Sequence, residues 1–344
     1  MSANRIRGLA IALTMGTAVL AANTTAQAQE PFRMIVTEQE VPLVQNSVMF
    51  LAQELGYYEE EGVTVEFVRV TDTTLAAAAL QAGEGEMANI ALDATMQMVA
   101  NDVLDMMAVT SPNKFLPFLI ACTDDVQSVA DIAGKNFAIN RVGSLDYGLS
   151  RMVMSAAGLD VDTVNYVPIG FTGPRAEALA ARQVDCATMS IGVWLSIPDR
   201  TGLRIVVPVA EYGDAAPVVN KVNVVPADVL EDRRDDVEAV IRALTRLSRH
   251  YNENPDAWVQ DMLEVRPDQD EETLTALAET FVGTWSVNGG MSAEELSFSV
   301  EQVFEGEEFA GLTAPELDDW VDFSIIDDIL DDLGVDESSD APTR

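Results

Sequence analysis

The sequence predicts an α/β protein with two similar lobes and a cleft between them, and three observations support this. Short apolar runs alternate with helical segments between residues 33 and 208, which is typical of strand–helix units with a largely parallel sheet. Residues 79–91 and 178–189 each lead from an alanine-rich helix through an acidic turn into a short strand, which suits two lobes of similar build. Beyond residue 226 the sequence is almost wholly helical.

The individual strands and helices are predicted from the spacing of apolar residues and from the residues that end each segment. Strands are predicted at 33–37, 63–70, 87–91, 105–110, 118–122, 136–140, 164–169, 185–190 and 204–209. Helices are predicted between them at 45–56, 75–83, 93–101, 149–158 and 175–183. The later helices are separated at Asn254-Pro255 and Arg266-Pro267, because proline ends a helix.

The first 28 residues have the pattern of an export signal. A basic start (MSANRIR) precedes an apolar stretch and a small-residue cleavage site, AQA at 26–28. No later segment is apolar enough for a membrane span. We therefore expect a mature protein in the bacterial periplasm.

Charge and cysteine content restrict the partners. Removing Arg5 and Arg7 with the signal leaves 18 basic and 57 acidic residues, a formal charge of −39. Such a chain does not suit nucleic acid or anionic membranes as partners, and an acidic surface is typical of proteins that work in high salt. Cys122 and Cys186 could form a disulfide in an oxidising compartment or remain buried thiols.

Known catalytic and metal-binding motifs find little support. His250 is the only histidine, so two-histidine metal centres are excluded and a histidine-based triad has no accompanying nucleophile motif. There is no phosphate-binding loop or dinucleotide fingerprint. We expect no cofactor, no metal site and no enzymatic activity.

The candidate site lies in the loops that leave the carboxyl ends of the strands, where open α/β sheets bind ligands. These loops are rich in hydroxyls, amides and glycine, and Ser144 opens a helix at one of them. Its hydroxyl could simply cap the helix, or the helix amides could face a ligand. The candidate ligand-binding residues are Glu38, Gln39, Asn46, Asp72, Thr73, Asp93, Asn113, Phe115, Ser144, Asp146, Tyr147, Thr172, Arg175 and Trp194.

Several motifs together resemble a known family. They are SVMFLAQELGYYEEEGVTVEF (47–67), AALQAGEGEMANIA (78–91), SVADIAGKNFAINRVGS (128–144), AGLDVDTVNYVPI (157–169), RAEALAARQVDCATM (175–189) and YNENPDAW (251–258). The chain resembles the substrate-binding proteins of ABC importers of the taurine, aliphatic-sulfonate, nitrate and thiamine-precursor type. Glu86 stands where the family usually has aspartate.

The resemblance implies a type II periplasmic-binding-protein fold, two α/β lobes with a hinge and a central cleft. We place the hinge crossings near 121–125 and 211–221. The lobes would close over a small-molecule ligand, and the transmembrane subunits of an ABC permease would bind the closed form. We expect the protein to be a monomer. The implied division is a signal peptide (1–28), lobe 1 (29–122 plus 215–335), lobe 2 (123–214) and an acidic disordered tail (336–344).

The ligand is predicted from charge and aromatic content. Acids outnumber bases on the candidate loops, and Tyr147 and Trp194 offer ring faces, so an amine-bearing heterocycle of the thiamine-precursor kind is the first choice. Arg175 supports a taurine-like sulfonate or a carboxylate if it points into the cleft, whereas on the outer helix face it would only add charge. A pyrimidine-synthesis enzyme with histidine and iron, disfavoured by the single histidine, and a sensor for a receptor kinase are the alternatives of other classes.

Overall fold

The computed structural model describes residues 30–338, and from Pro31 onward these residues form one compact unit. The predicted signal peptide and residues 339–344 lie outside the described part. The strands are β1 (Phe32–Val36), β2 (Val65–Arg69), β3 (Met87–Ala91), β4 (Met106–Asn113), β5 (Phe118–Thr123), β6 (Asn136–Ile139), β7 (Asn165–Pro168), β8 (Cys186–Ser190), β9 (Leu203–Val207) and β10 (Lys221–Pro226).

The helices fill the gaps between the strands and make up the C-terminal part. They are α1 (Ser47–Glu54), α2 (Tyr57–Glu60), α3 (Thr73–Gln81), α4 (Leu92–Ala100), α5 (Leu145–Ala156), α6 (Thr172–Ala180), α7 (Ile191–Leu195), α8 (Val209–Ala215), α9 (Ala227–Asp232), α10 (Arg234–Glu253), α11 (Pro255–Val265), α12 (Glu271–Phe281), α13 (Ala293–Phe304) and α14 (Ser324–Leu333). The predicted alternation and the helical C-terminal part are confirmed.

The strands form two five-stranded sheets with the same plan. The first has the order β2-β1-β3-β10-β4 and the second has the order β7-β6-β8-β5-β9. In each sheet, parallel strands meet one antiparallel strand beside the last position, β10 in the first and β5 in the second. The expectation of two α/β lobes of similar build is confirmed.

The core is continuous between the lobes. One buried cluster joins α1, α10 and α12 of the first lobe to α6 and α7 of the second. A second cluster lies between the first sheet and helices α3, α4 and α13, and a third lies between the second sheet and helices α5 and α8. Apolar side chains of both lobes therefore belong to one buried cluster.

The first crossing between the sheets lies earlier in the chain than the sequence suggests. Phe118–Thr123 pairs with β8 and β9, so it belongs to the second sheet and not to the first lobe. The chain therefore crosses at 114–117, and the expectation of 121–125 is wrong. It returns through α8 and residues 216–220 into β10, a strand that the sequence analysis did not predict.

Both crossings touch the loop ends of the sheets. The amide of Ile191, the first residue of α7, donates to the carbonyl of Pro117 at 2.9 Å. The amide of Leu92, the first residue of α4, donates to the carbonyl of Asn220 at 3.1 Å. The carboxyl ends of the parallel strands in both sheets therefore lie beside the crossings.

The two cysteines are joined to one another. Cys122 and Cys186, opposite one another on β5 and β8, form a disulfide.

The last described residues are held by hydrogen bonds. Asp336 and Ser338, which we expected to belong to a disordered tail, bond to Asn288 and Asn252, so residues 336–338 are ordered. Among residues 30–338, no helix combines the length and apolar character needed to cross a membrane.

Candidate functional site

A buried polar cluster lies at the loop end of the first sheet. We call it the first-lobe cluster: Glu38, Asn46, Asn89, Lys221 and Asn223. The Lys221 ammonium lies 2.6 Å from Glu38 Oε1. Asn46 Nδ2 donates to Glu38 Oε1 (3.1 Å) and to Asn89 Oδ1 (3.2 Å), and Asn89 Nδ2 donates to Asn223 Oδ1 (2.7 Å).

Strand β10 brings distant parts of the chain into this cluster. Because β10 runs antiparallel between β3 and β4, Lys221 lies opposite Ala91 and Asn113, and Asn223 lies opposite Asn89. Residues that alternate along a strand share one face, so Lys221 and Asn223 lie on the same face of β10. The site is therefore assembled from segments more than a hundred residues apart.

Several buried polar atoms at this end of the lobe have no hydrogen-bond partner among residues 30–338. They are Glu38 Oε2, Gln45 Oε1, Asn46 Oδ1, Asn113 Oδ1 and Asn223 Nδ2. An unpaired buried polar atom costs about 1–3 kcal/mol. These five atoms lie together at one end of the first sheet, where hydrogen-bonding groups of a polar solute would satisfy them.

The Glu38 carboxyl remains ionised in this buried place. Burial alone would raise its pKa, but the Lys221 ammonium, with hydrogen bonds from Lys221 and Asn46, lowers the pKa of Glu38 below its ordinary value. The pair therefore presents a charge-neutral surface whose second carboxylate oxygen, Oε2, is unpaired.

The stability that Glu38 contributes should depend on pH in a defined direction. A carboxyl whose folded pKa is depressed stabilises the fold above its unfolded pKa of about 4.3, and that contribution disappears as the pH falls through the folded value. We expect the difference in unfolding free energy between wild type and Glu38→Gln to shrink between about pH 6 and pH 3. Urea unfolding at several pH values measures it, with the exposed Glu66→Gln as control. A difference that stays constant on acidification would contradict the pairing.

The second lobe has its own buried polar group, which we call the second-lobe cluster: Ser144, Asp146, Ser150, Arg175 and Thr188. Arg175 Nη1 lies 2.5 Å from Asp146 Oδ2, and their side chains are 3% and 10% exposed. Ser144 Oγ donates to Asp146 Oδ1 (2.7 Å), and the Asn140 amide donates to Asp146 Oδ2 (3.2 Å). Ser150 Oγ lies 2.6 Å from Thr188 Oγ1.

This geometry decides two questions that the sequence left open. Ser144 is the N-cap residue of α5 by position, but its hydroxyl makes no capping bond and contacts Asp146 and the Arg141 carbonyl instead. Arg175 lies neither on the outer face of α6 nor free in a cleft, because its guanidinium is buried against Asp146. Its Nε is buried and has no hydrogen-bond partner within the described part of the chain.

Two cavities are relevant to a site: one is lined by residues of the crossings and of the first lobe, and the other is lined by residues of both lobes. The larger, about 730 Å³, is lined by the crossing residues Lys114 and Phe115, by α8 and by the segments around Thr284 and Ser292. The smaller, about 370 Å³, lies between α4, α5 and the end of α13, and its lining includes the predicted residues Asp93, Ser144 and Tyr147. Both volumes suit small organic molecules.

The predicted aromatic residues occupy different settings. Tyr147 packs edge-on against Tyr166 at 4.9 Å and lines the smaller cavity. Trp194 is 8% exposed within the core that joins the lobes and lines neither cavity. The Phe115 ring packs against Gly213 of α8. A Cβ added to Gly213 would come 1.9 Å from this ring, so position 213 requires glycine.

The remaining predicted residues mostly serve the local backbone. Asp72 caps α3 by accepting from the Leu75 amide, and Gln39 donates to the Val70 carbonyl. Thr73 and Thr172 are the first residues of α3 and α6 and are half-buried. Sequence reasoning missed Gln45, Asn89, Ser150, Thr188, Lys221 and Asn223. Polar residues inside otherwise apolar strands were the available signal for Asn89, Thr188 and Asn223.

The described residues show no metal centre. Among residues 30–338, no group of three or more histidine, cysteine, aspartate or glutamate side chains is placed to hold a metal ion. The polar groups at the two sheet ends are amides, hydroxyls and paired charges. Such groups can bind an organic solute through hydrogen bonds.

Comparison with solved structures shows a shared fold. The putative periplasmic sulfonate-binding protein SsuA of Methylobacillus flagellatus KT has a TM-score of 0.70 at 14% identity, over 92% of this chain and 98% of that one. The aliphatic sulphonate binding protein SsuA of Escherichia coli has a TM-score of 0.64 at 12% identity, over 86% and 92%. The nitrate-binding protein NrtA of Synechocystis PCC 6803 has a TM-score of 0.61 at 12% identity, over 91% and 92%.

These three structures are periplasmic binding proteins, and the two-lobed α/β fold of this chain is theirs. No curated protein shows significant sequence similarity to it. The sequence model of one family, described as NMT1/THI5 like, matches residues 44–257. This range begins one residue before Gln45 and includes the whole second lobe and β10. The chain belongs to the NMT1/THI5-like family.

Proposed function

We propose that this protein is the solute-binding component of an ABC import system, which captures a small polar organic ligand between its lobes. The family, the fold shared with sulfonate- and nitrate-binding proteins, and the two buried polar clusters beside the crossings support this. Ligand contact with both lobes would favour the closed arrangement, because a ligand shifts an equilibrium only by its differential affinity for the two states. The closed form would then be presented to the permease.

An enzymatic role has weaker support. Both cysteines are joined in the disulfide, so neither supplies a thiolate nucleophile. The single histidine, His250, is exposed in the last turn of α10, and its ring lies 5.8 Å from the Tyr251 ring, centroid to centroid. A pyrimidine-synthesis reaction that relies on histidine and iron has no corresponding ligand set among residues 30–338.

A ligand rich in N–H donors suits the first lobe best, and an amine-bearing heterocycle of the thiamine-precursor kind remains our first choice. The observation that carries this choice is that four of the five unpaired buried atoms there are acceptor oxygens, one of them the carboxylate oxygen Glu38 Oε2. An amino group would donate to these oxygens, whereas a sulfonate, which only accepts, would face them unfavourably.

A sulfonate or carboxylate is the second candidate because of one observation in the second lobe. Arg175 Nε is buried without a partner, so it could donate to an anion although Asp146 already neutralises the guanidinium. The solved relatives that bind sulfonates show that the fold accommodates such ligands.

A thermal-shift screen tests the proposal. Amines, pyrimidines, sulfonates and carboxylates would be added to the protein in molar salt, and we expect one class to raise the melting temperature without being consumed. A ligand at a hundred times its dissociation constant stabilises the fold by about 2.7 kcal/mol. Turnover of a compound, measured by chromatography after long incubation, would contradict a purely binding role.

The setting of this function is also proposed. We propose a monomer that works in the periplasm, and the signal pattern, the disulfide and the periplasmic relatives support that compartment. The excess of acidic residues supports work at high salt. We propose lobe 1 as residues 31–113 plus 221–338 and lobe 2 as 118–207, with the two crossings between them. Genes for a permease and an ATPase beside this gene would favour import over a sensor role.

A further inference from the structure

We propose that α13 braces the angle between the lobes, with Phe298 as the side chain through which this first-lobe helix packs against the second-lobe side of the molecule. This role is independent of the solute that the protein binds. Three features support it: two sides of α13 pack against different buried clusters, a hydrogen bond ties the helix to the second crossing, and one stripe of the helix lines both cavities.

One side of α13 belongs to the first lobe. Leu296, Val300 and Val303 are buried in the cluster that lies between the first sheet and helices α3, α4 and α13. They follow one another at intervals of four and three residues, so they share one face of the helix. This face holds α13 to the first lobe.

The ring of Phe298 packs against a different cluster, the one between the second sheet and helices α5 and α8. The other side chains of that cluster that the structure describes come from residues 116–218, so Phe298 is the one first-lobe side chain among them. A change in the angle between the lobes must move this half-buried ring against the cluster. A gap of about 0.5–1 Å already forfeits a quarter to a half of the van der Waals attraction between packed atoms.

A buried hydrogen bond ties α13 to the second crossing. The amide of Val219 donates to Ser299 Oγ at 2.8 Å, and Ser299 Oγ donates to the Glu295 carbonyl at 2.5 Å. Val219 and Ser299 are 1% and 0% exposed. The helix is therefore fixed to one of the two segments about which the lobes would turn, directly beside Phe298.

One stripe of α13 runs along both cavities. Glu294, Phe298, Gln302 and Glu305 follow one another at intervals of four, four and three residues, which places them on one face. Glu294 and Phe298 line the larger cavity together with the crossings, and Gln302 and Glu305 line the smaller cavity together with residues of α5. Phe298 is the apolar member of this stripe, so it is the member that gains most from burial between the two sides.

Phe298→Ala tests the brace without a ligand. Nitroxide labels on Glu66→Cys of β2 and Glu177→Cys of α6, one exposed position on each lobe, would report the separation of the lobes by double electron–electron resonance. The native cysteines are joined in the buried disulfide and do not take the label. We expect wild type to show mainly the separation that the structure gives. The variant should change the ratio of this population to all others by about 10-fold, because it removes most of a half-buried ring.

Two further variants sharpen the test. Phe298→Leu keeps an apolar side chain and should change the ratio by about 3-fold, and it stands in if Phe298→Ala does not fold. Ser297→Ala, at an exposed position on the same helix, is the matched control and should leave the distances unchanged. Identical distance distributions in wild type and both Phe298 variants would overturn the brace, as would a wild type that does not populate the separation of the structure. Neither result would contradict solute binding, which the thermal-shift screen measures independently.

Discussion

Replacing Asp146 with alanine is expected to lower the free energy of unfolding by about 3–5 kcal/mol, because the change leaves a buried guanidinium without its counter-charge. Arg175 is 2% exposed, and its Nη1 has Asp146 as partner at 2.5 Å. The same carboxylate also accepts hydrogen bonds from the Ser144 hydroxyl and from the Asn140 amide. The variant therefore also removes two hydrogen bonds of the loop that precedes α5.

Chemical unfolding of the purified variant measures this loss. The matched control is the double variant Asp146→Ala with Arg175→Met, which removes the charge together with its partner and should recover much of the stability. Arg151→Ala is a second control, since Arg151 pairs with the 81% exposed Asp162 and a surface pair contributes at most about 1 kcal/mol. Equal losses for Asp146→Ala and Arg151→Ala would show that the buried pair is not the source of the stability.

The fold was predictable because its signals are local. Apolar runs of strand length next to alanine-rich helices place nine of the ten strands to within about two residues at most ends. Strand β10 was not predicted because its sequence, KVNVVP, carries lysine and asparagine within a short run. Its burial also depends on β3 and β4, which lie far away in sequence. The first crossing was placed too late in the chain for a related reason. The sequence FLIAC (118–122) predicts a strand, but it does not show which of the two sheets that strand joins.

The candidate site was predictable only in part. The rule that ligands lie at the carboxyl ends of strands identified Glu38, Asn46, Ser144, Asp146 and Arg175, which the structure places in the two buried clusters. It could not identify their partners. Lys221 reaches Glu38 across 183 positions, and Arg175 reaches Asp146 across 29, so charges that look like free cleft acids in the sequence are neutralised in the fold.

The same long-range pairing alters the ligand argument. Sequence reasoning counted acids on the loops and favoured a neutral or amine-bearing ligand because acids outnumber bases. In the structure both relevant acids are paired, and the preference for an N–H donor comes from unpaired oxygens instead. The conclusion is similar, but the physical basis has moved from net charge to hydrogen-bond direction.

Removing the cross-link between β5 and β8 is the other change with a large expected effect. Cys122 and Cys186 are 64 positions apart, and closing a loop of that length restricts the unfolded chain by about 4 kcal/mol in the chain-entropy account. We expect the double variant Cys122→Ala, Cys186→Ala to lose roughly that amount of unfolding free energy, as measured by guanidinium unfolding in molar salt. Its m-value should rise, because an uncross-linked chain exposes more surface when unfolded.

The m-value separates the two sources of the loss. Both sulfurs are fully buried, so the variant also removes packing within the second lobe. A packing defect lowers the midpoint with m unchanged, whereas loss of the constraint on the unfolded chain raises m. Unfolding wild type in the presence of a reductant is the matched control, since it breaks the same bond and keeps the sulfur atoms. A wild-type curve that reductant leaves unchanged, in midpoint and slope, would show that the cross-link contributes nothing to stability.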